Sequence, residues 1–487
     1  MKKSFVTNLA LLLSLNLLIK PFWILGIDRA IQNQMNSVDT KEFGLYSALF
    51  FFTFLFNIVL DFGITNFNNK NIAQNNHLLT KHFSSLVVLK IPLAIAYIIV
   101  TVLVGFLIGY DVRKMQIILI LGFNQFLISF IQYLRSNLGG LHLFKTDSII
   151  SVLDRLIMIP ICAVFLWGHV TEKKIDLFTY IYIQTTAYFT TAVITTLIVL
   201  RKTHSFSFSW NWPFSLMILK KSFPYAILVL LMTFYNRIDM VILERILPED
   251  AGAEQSGIYM QGYRLLDATN MIAMLLAGML LPMFSRMLKY KESVEQLVKL
   301  SFTLLITPAI VIASGCFFYS NELMHMLYTT HADESAKVFS LLMTCFIAVS
   351  STYIFGTLLT ANGNLKELNI MATCGMLLNI ALNLILIPKL FAYGSAIAAL
   401  TTQFLTAITQ ILIVQKKFKF KINYRLLINL SMFIVGVIAF NVLSKNIHYN
   451  SQNWIPNFLA MVAFSIGWAF TSNLLNIKSM LRILKYG

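Results

Sequence analysis

Four basic and four acidic side chains fall inside apolar runs of spanning length: Lys20, Arg155, Arg237 and Arg264 against Asp61, Asp154, Asp239 and Asp267. A charge in such a run is costly and normally turns toward protein interior or water, where it meets a partner or a substrate. The chemistry open to these residues is electrostatic. Arginine offers phosphate two parallel N–H donors and lysine offers a point charge. Lys20 directly precedes Pro21, and proline removes a backbone donor and kinks a helix. A kink beside a cation suits a gate or a phosphate contact; a lysine snorkelling past an ordinary kink is the plain alternative. Arg237 sits at similar depth in the helix that opens the second half, so Lys20 and Arg237 are candidates to hold one anion between them. Asp239 is two residues from Arg237 and points elsewhere, whereas Arg264 and Asp267, three apart, can pair on one face. Asp154 and Arg155 are adjacent, so one of them can face a cavity. Asp61 precedes Phe62-Gly63 and reads as a cap or hinge, with Asn66, Asn68 and Asn69 bonding the loop, or as a carrier of a coupling H+ or Na+. With equal numbers of each sign, a cationic cavity requires the acids to pair off or to lie near the membrane faces.

Other chemistries find no footing. GxxxxGK[ST] is absent, so nothing argues for ATP hydrolysis. There is no metal-ligand spacing, no nucleophile elbow and no cofactor motif. Cys162, Cys316, Cys345 and Cys374 lie in apolar runs and read as small buried side chains. His142, His325, His331 and His448 read as loop residues. A net charge of +17 would suggest nucleic acid in a soluble chain, but here its placement points to membrane topology and no nucleic acid partner is expected.

The elements that position these charges are all α. Of 487 residues, 57% are hydrophobic and 12% charged, against about 25% charged in soluble domains. Windows of roughly 20 apolar residues, the length of a spanning helix, fall near 5–26, 44–67, 85–108, 115–137, 148–168, 177–199, 222–243, 262–284, 297–319, 340–361, 367–387, 392–414, 424–443 and 455–475. The expectation is an all-α integral membrane protein of about fourteen transmembrane helices. Basic Met1-Lys2-Lys3 and the apolar run after it read as a retained first span. With that end inside, most of the 38 Lys and Arg residues, Lys90 among them, fall on inner loops and tails, which places both termini in the cytoplasm. The stretch Lys416-Lys417-Phe418-Lys419-Phe420-Lys421 reads as a topogenic inner loop or as contact with anionic lipid. All loops are short, which weighs against an enzyme acting on glycans outside the membrane.

The two halves resemble each other. Gly44-Leu45-Tyr46 opens helix two and Gly257-Ile258-Tyr259 opens helix eight, while Gly140 with Lys145 and Gly363 with Lys366 mark the inner loops after helices four and ten. Helices 1–6 thus map onto 7–12 as parallel repeats related by an axis along the membrane normal. The division expected is 1–205 for an N-terminal lobe, 206–415 for a C-terminal lobe and 416–487 for two added helices.

Leu60 to Gln74 (LDFGITNFNNKNIAQ), Arg237-Ile238-Asp239, Gly257-Ile258-Tyr259 and Tyr393-Gly394-Ser395-Ala396 resemble the polysaccharide biosynthesis membrane proteins, the lipid-linked oligosaccharide flippases of the multidrug/oligosaccharidyl-lipid/polysaccharide exporter superfamily. The resemblance implies two six-helix lobes around a central cavity, alternating access, and a bacterial cytoplasmic (inner) membrane location. It also implies a polyprenyl-pyrophosphate-linked oligosaccharide of the O-antigen, lipopolysaccharide or capsule type as the partner carried. On that reading Lys20, Arg237, Arg155 and Arg264 are candidates for the pyrophosphate, and Asp239, Asp267, Asp154 and Asp61 for ion pairing or coupling. A multidrug/cation antiporter, a peptidoglycan-precursor flippase and a membrane glycan polymerase or ligase are the alternatives.

Overall fold

The computed structural model describes residues 14–16, 18–65, 68, 72, 78–141, 143–168, 175–203, 212–421, 423–446, 454–472, 474 and 475. Both chain ends and Asn66 and Asn69 lie outside these. Every regular element among the described residues is helical, as a bilayer demands of a chain that must satisfy its backbone groups internally. The first helix widens into a π-helical turn, Trp23–Asp28, two residues past Pro21, which is the form the irregularity beside that proline takes. It is followed by α1 (Arg29–Asn36), α2 (Glu42–Leu55), α3 (Asn57–Asp61), α4 (Leu78–Ile108), α5 (Val112–Gly140), α6 (Phe144–Trp167), α7 (Leu177–Thr203), α8 (Trp212–Arg237), α9 (Asp239–Ile246) and α10 (Glu249–Lys289). The remainder is α11 (Glu295–Phe318), α12 (Ser320–Leu327), α13 (Ala332–Ala361), α14 (Leu365–Phe418), α15 (Tyr424–Asn446) and α16 (Trp454–Thr471).

Among the described residues, 10 helices are long and apolar enough to span a membrane, or 11 if the bent pair α8–α9 is one span. The expected figure of fourteen differs for local reasons. The window near 5–26 lies partly outside the described residues, the one near 44–67 falls largely on the α2–α3 pair, and α14 absorbs two windows in one element. That element is a hairpin. Phe391 has φ 53 and ψ −136, and Ser395 Oγ donates to Asn383 Oδ1 at 2.7 Å, residues that a straight helix would hold about 18 Å apart. A methyl on Gly394 would lie 2.6 Å from the Leu386 carbonyl oxygen, so the turn closes only with glycine there.

The chain packs as two compact units, Met1–Gly257 and Ile258–Gly487. In the first, α5 packs on α2, α4, α6 and α7, and α8 and α9 pack on α2. The helices that a repeat reading assigns to the second half therefore bury themselves in this unit. In the second, α13 packs on α11, α12 and α14, and α15 and α16 pack on each other and on α11. Ile306, Ile310, Phe433, Val437 and Ala469 form an apolar core there.

Candidate functional site

Helix one and α6 face each other with matching stripes. Asn16, Lys20 and Trp23 recur at spacings of four and three, as do Ser151, Arg155 and Met158, so each set lies on one helix face. Asn16 Nδ2 donates to Ser151 Oγ at 3.0 Å, pinning the register. The Arg155 guanidinium then lies 5.3 Å from the Trp23 ring and 5.9 Å from the Tyr188 ring of α7. It donates to Tyr188 Oη at 3.2 Å and approaches Asp154 Oδ2 at 3.6 Å. Lys20 is half-buried and lies within the fields of Arg155, Asp154 and Arg135. Arg135 is itself held by Asp147 at 2.7 Å. Three of the eight candidate charges, Lys20, Asp154 and Arg155, thus stand on the two facing helices of the first unit.

Arg237 and Asp239 flank the 51° bend between α8 and α9. A cation in the last turn of one helix and an acid in the first turn of the next each complement the local helix dipole, which explains the Arg-Ile-Asp order. The Arg237 guanidinium lies over Phe51 and Phe54 of α2, at 5.1 and 5.7 Å, and Asp239 is buried. Arg264 and Asp267 are half-buried on the part of α10 that belongs to the second unit.

Asp61 is engaged. Lys90 Nζ reaches Asp61 Oδ1 at 2.9 Å, the Leu60 carbonyl at 2.9 Å and Ser129 Oγ at 3.3 Å. The lysine caps the end of α3, where Phe62 and Gly63 turn left-handed with φ 48 and 78. The capping role expected of Asp61 is present through its bonds to the Thr65 amide at 3.2 and 3.3 Å. Asn68 bonds Ser136 and Asn137 instead, at 2.8 and 3.0 Å. Lys90, expected on the inner face, is buried within α4; its place inside the 85–108 window was the signal for that.

Two further groups escaped the hydropathy windows. Asp28, in the π-helical turn, is buried and accepts from Tyr180 Oη at 2.6 Å. Tyr180 lies edge-on to Tyr46, 5.0 Å away, whose hydroxyl accepts from Gln184 at 2.7 Å. Lys114 and Glu244 form an ion pair at 2.9 Å with side chains 7% and 1% exposed. Tyr110 Oη adds a bond to Glu244 at 3.1 Å, beside a cavity of about 270 Å³ lined by Gly109, Asp111, Lys114, Glu244, Arg245 and Leu247. Exposed Lys41 meets Asp250 at 2.9 Å, a bond that holds its ammonium above the usual lysine range. Together these tie α9 and the start of α10 to the ends of α2, α4 and α5. Among the described residues no cluster of His, Cys, Asp and Glu is built to hold a metal.

The model of the family described as polysaccharide biosynthesis protein matches residues 34–288, more than half of this 487-residue chain. The chain belongs to that polysaccharide biosynthesis family. No curated protein matches the sequence. Among solved structures, the lipid II flippase MurJ in an inward closed conformation aligns with a TM-score of 0.73 at 13% identity, over 94% of this chain and 97% of its own. An inward-facing multidrug resistance MATE transporter of the MOP superfamily aligns at 0.62 and 12%, over 84% and 98%. A MOP-superfamily transporter from Pyrococcus furiosus aligns at 0.54 and 14%, over 86% and 96%. The family member in hand is therefore a multi-pass membrane protein with the fold of these flippases and transporters.

Proposed function

We propose that the protein carries a polyprenyl-pyrophosphate-linked oligosaccharide across a bacterial cytoplasmic membrane for assembly of surface polysaccharide of the O-antigen, lipopolysaccharide or capsule type. The observation that carries this reading is that Lys20 and Arg155 stand on facing helix stripes, each one turn beyond the Asn16–Ser151 bond, with the rings of Trp23 and Tyr188 against the guanidinium. Two cations on facing helix stripes, flanked by aromatic rings, suit a pyrophosphate: an anion gains most where water is displaced, and the guanidinium can still offer N–H groups to oxygen. Aromatic faces beside them suit a sugar ring or an isoprenoid stem. The family's place in polysaccharide biosynthesis and the transporter fold support a carrier in preference to a polymerase or ligase. Two cations at this place run against a carrier of cationic drugs.

In this reading the halves 1–205 and 206–415 alternate access, with 416–487 added and both termini cytoplasmic. Drive comes from a coupling cation, H+ or Na+, or from the membrane potential, which acts on net charge at about 2.3 kcal/mol per charge per 100 mV. Arg237 and Arg264 are candidates for later contacts along the path, with Asp239 and Asp267 as their pairing acids and Asp154 and Asp61 as coupling candidates. The test is deletion of the gene in its host, scored by lipid-linked precursor on the inner leaflet. Build-up of an oligosaccharide pyrophosphate is expected and is restored to normal by the wild-type chain but not by Lys20→Ala/Arg155→Ala. Unchanged surface polysaccharide with no precursor build-up refutes the proposal. Build-up of the peptidoglycan precursor alone reassigns the substrate.

A further inference from the structure

At one end of the second unit two turns meet. The first, 362–364, joins α13 to α14 through Gly363 with φ 81. The second follows α14, which ends with Lys419 in the left-handed region. Lys417 Nζ reaches Glu367 Oε1 at 2.6 Å and draws the two turns together. Gln415 Nε2 donates to the Phe420 carbonyl at 2.6 Å and closes the second turn. Phe418 and Phe420 stack with centroids 5.4 Å apart. The result is a patch in which Lys366, Lys416, Lys417, Lys419, Lys421 and Arg425 are all exposed, with Glu367 as the acid among them.

The flanking helices say what this patch meets. α14 and α15 leave Leu405, Leu412, Leu427, Val435 and other large apolar side chains exposed, as helices in contact with acyl chains do. A turn joining two such helices lies in the headgroup layer. The half-exposed rings of Phe418 and Phe420 and the exposed ring of Tyr424 are residue types that favour that layer. Alternation of cation and ring, Lys-Phe-Lys-Phe-Lys over 417–421, lets rings seat toward the acyl boundary while ammonium groups stay among phosphates. Six cations against one acid complement an anionic surface.

We infer that this two-turn patch is a binding surface for anionic phospholipid headgroups, selecting them over zwitterionic ones. It involves neither Lys20 nor Arg155 and stands apart from the transport proposal.

The experiment uses the full-length protein, purified in detergent and supplied with an equimolar mixture of phosphatidylglycerol and phosphatidylcholine, with retained lipid counted by native mass spectrometry. The expected result is enrichment of phosphatidylglycerol that falls at least threefold in Lys416→Gln/Lys419→Gln/Lys421→Gln and is kept in the corresponding triple Arg variant. Enrichment that persists in the Gln variant overturns the inference, and so does its loss in the Arg variant, which preserves the charge. Retained phosphatidylglycerol with lost binding of a soluble acidic peptide assigns the surface to a protein partner and likewise overturns it.

Discussion

Gly44 and Gly257 face each other where α2 crosses the start of α10: a methyl on Gly257 would lie 3.5 Å from Gly44 Cα, and one on Gly44 only 1.7 Å from the Ala253 carbonyl oxygen. These are the first residues of the two Gly-[Leu/Ile]-Tyr triplets that mark the repeat in the sequence. Small residues at such a crossing let backbones approach where apolar side chains gain little from leaving lipid.

Gly44→Ala is expected to force that crossing apart, because the obstruction is backbone and not a movable side chain. Overpacking of this kind costs about 1–3 kcal/mol. A melting temperature in detergent equal to that of the parent protein would contradict the assignment. Gly278, whose added methyl would meet nothing within 4 Å, is the control: Gly278→Ala should leave the melting temperature unchanged or raise it.

Lys114 and Glu244 are nearly fully buried, so removing one charge leaves the other without its counter-ion in a poorly solvated place. Glu244→Gln is expected to destabilise by about 3–5 kcal/mol, whereas Lys114→Met/Glu244→Leu recovers most of that loss. A double-mutant cycle in thermal unfolding measures it. Additive single effects would show that the two groups do not act as a pair.

Arg155→Lys keeps the charge but loses the planar group placed between Trp23 and Tyr188. Cation–π contacts of this type are worth about 0.5–2 kcal/mol, so the variant should unfold at a lower temperature in detergent, and loss of the bidentate donor should lower transport in vesicles at low substrate. Transport is compared at matched protein level. Equal transport by Arg155→Lys and the parent chain would show that charge alone suffices there.

In the α14 hairpin, sterics should outweigh hydrogen bonding. Ser395→Ala removes the bond to Asn383 and is expected to cost only about 0.6 kcal/mol, the average for polar contacts between membrane helices. Gly394→Ala places a methyl 2.6 Å from the Leu386 carbonyl oxygen and should cost more, about 1–3 kcal/mol. Thermal unfolding of the two single variants decides the order.

Much of the architecture was legible along the chain, because lipid imposes a simple rule: long apolar runs must be helices. The position of nearly every helix followed from that rule, and the irregularity beside Pro21 followed from the backbone donor that proline lacks. The count of spans was less secure for reasons visible at single residues. The reversal at Phe391 needs a residue in a positive-φ conformation, which composition does not announce, and the bend between Arg237 and Asp239 turns one apolar run into two helices.

Charges divide the same way. That Lys20, Arg155, Arg237 and Arg264 are costly where they stand follows from sequence alone, since it depends only on neighbours along the chain. Which of them meet depends on residues far apart in number. Helix one and α6 come into register through Asn16 and Ser151, separated by 135 positions, and no local pattern encodes that. Asp28 and Glu244 fall among no candidate charges by hydropathy, and it is packing that buries them. The sequence by itself determined that this protein is a bundle of membrane helices carrying expensive charges. The tertiary structure alone decided which of those charges stand on facing helices and which hold each other, because an ionic group senses distance in space and a hydropathy window senses distance along the chain.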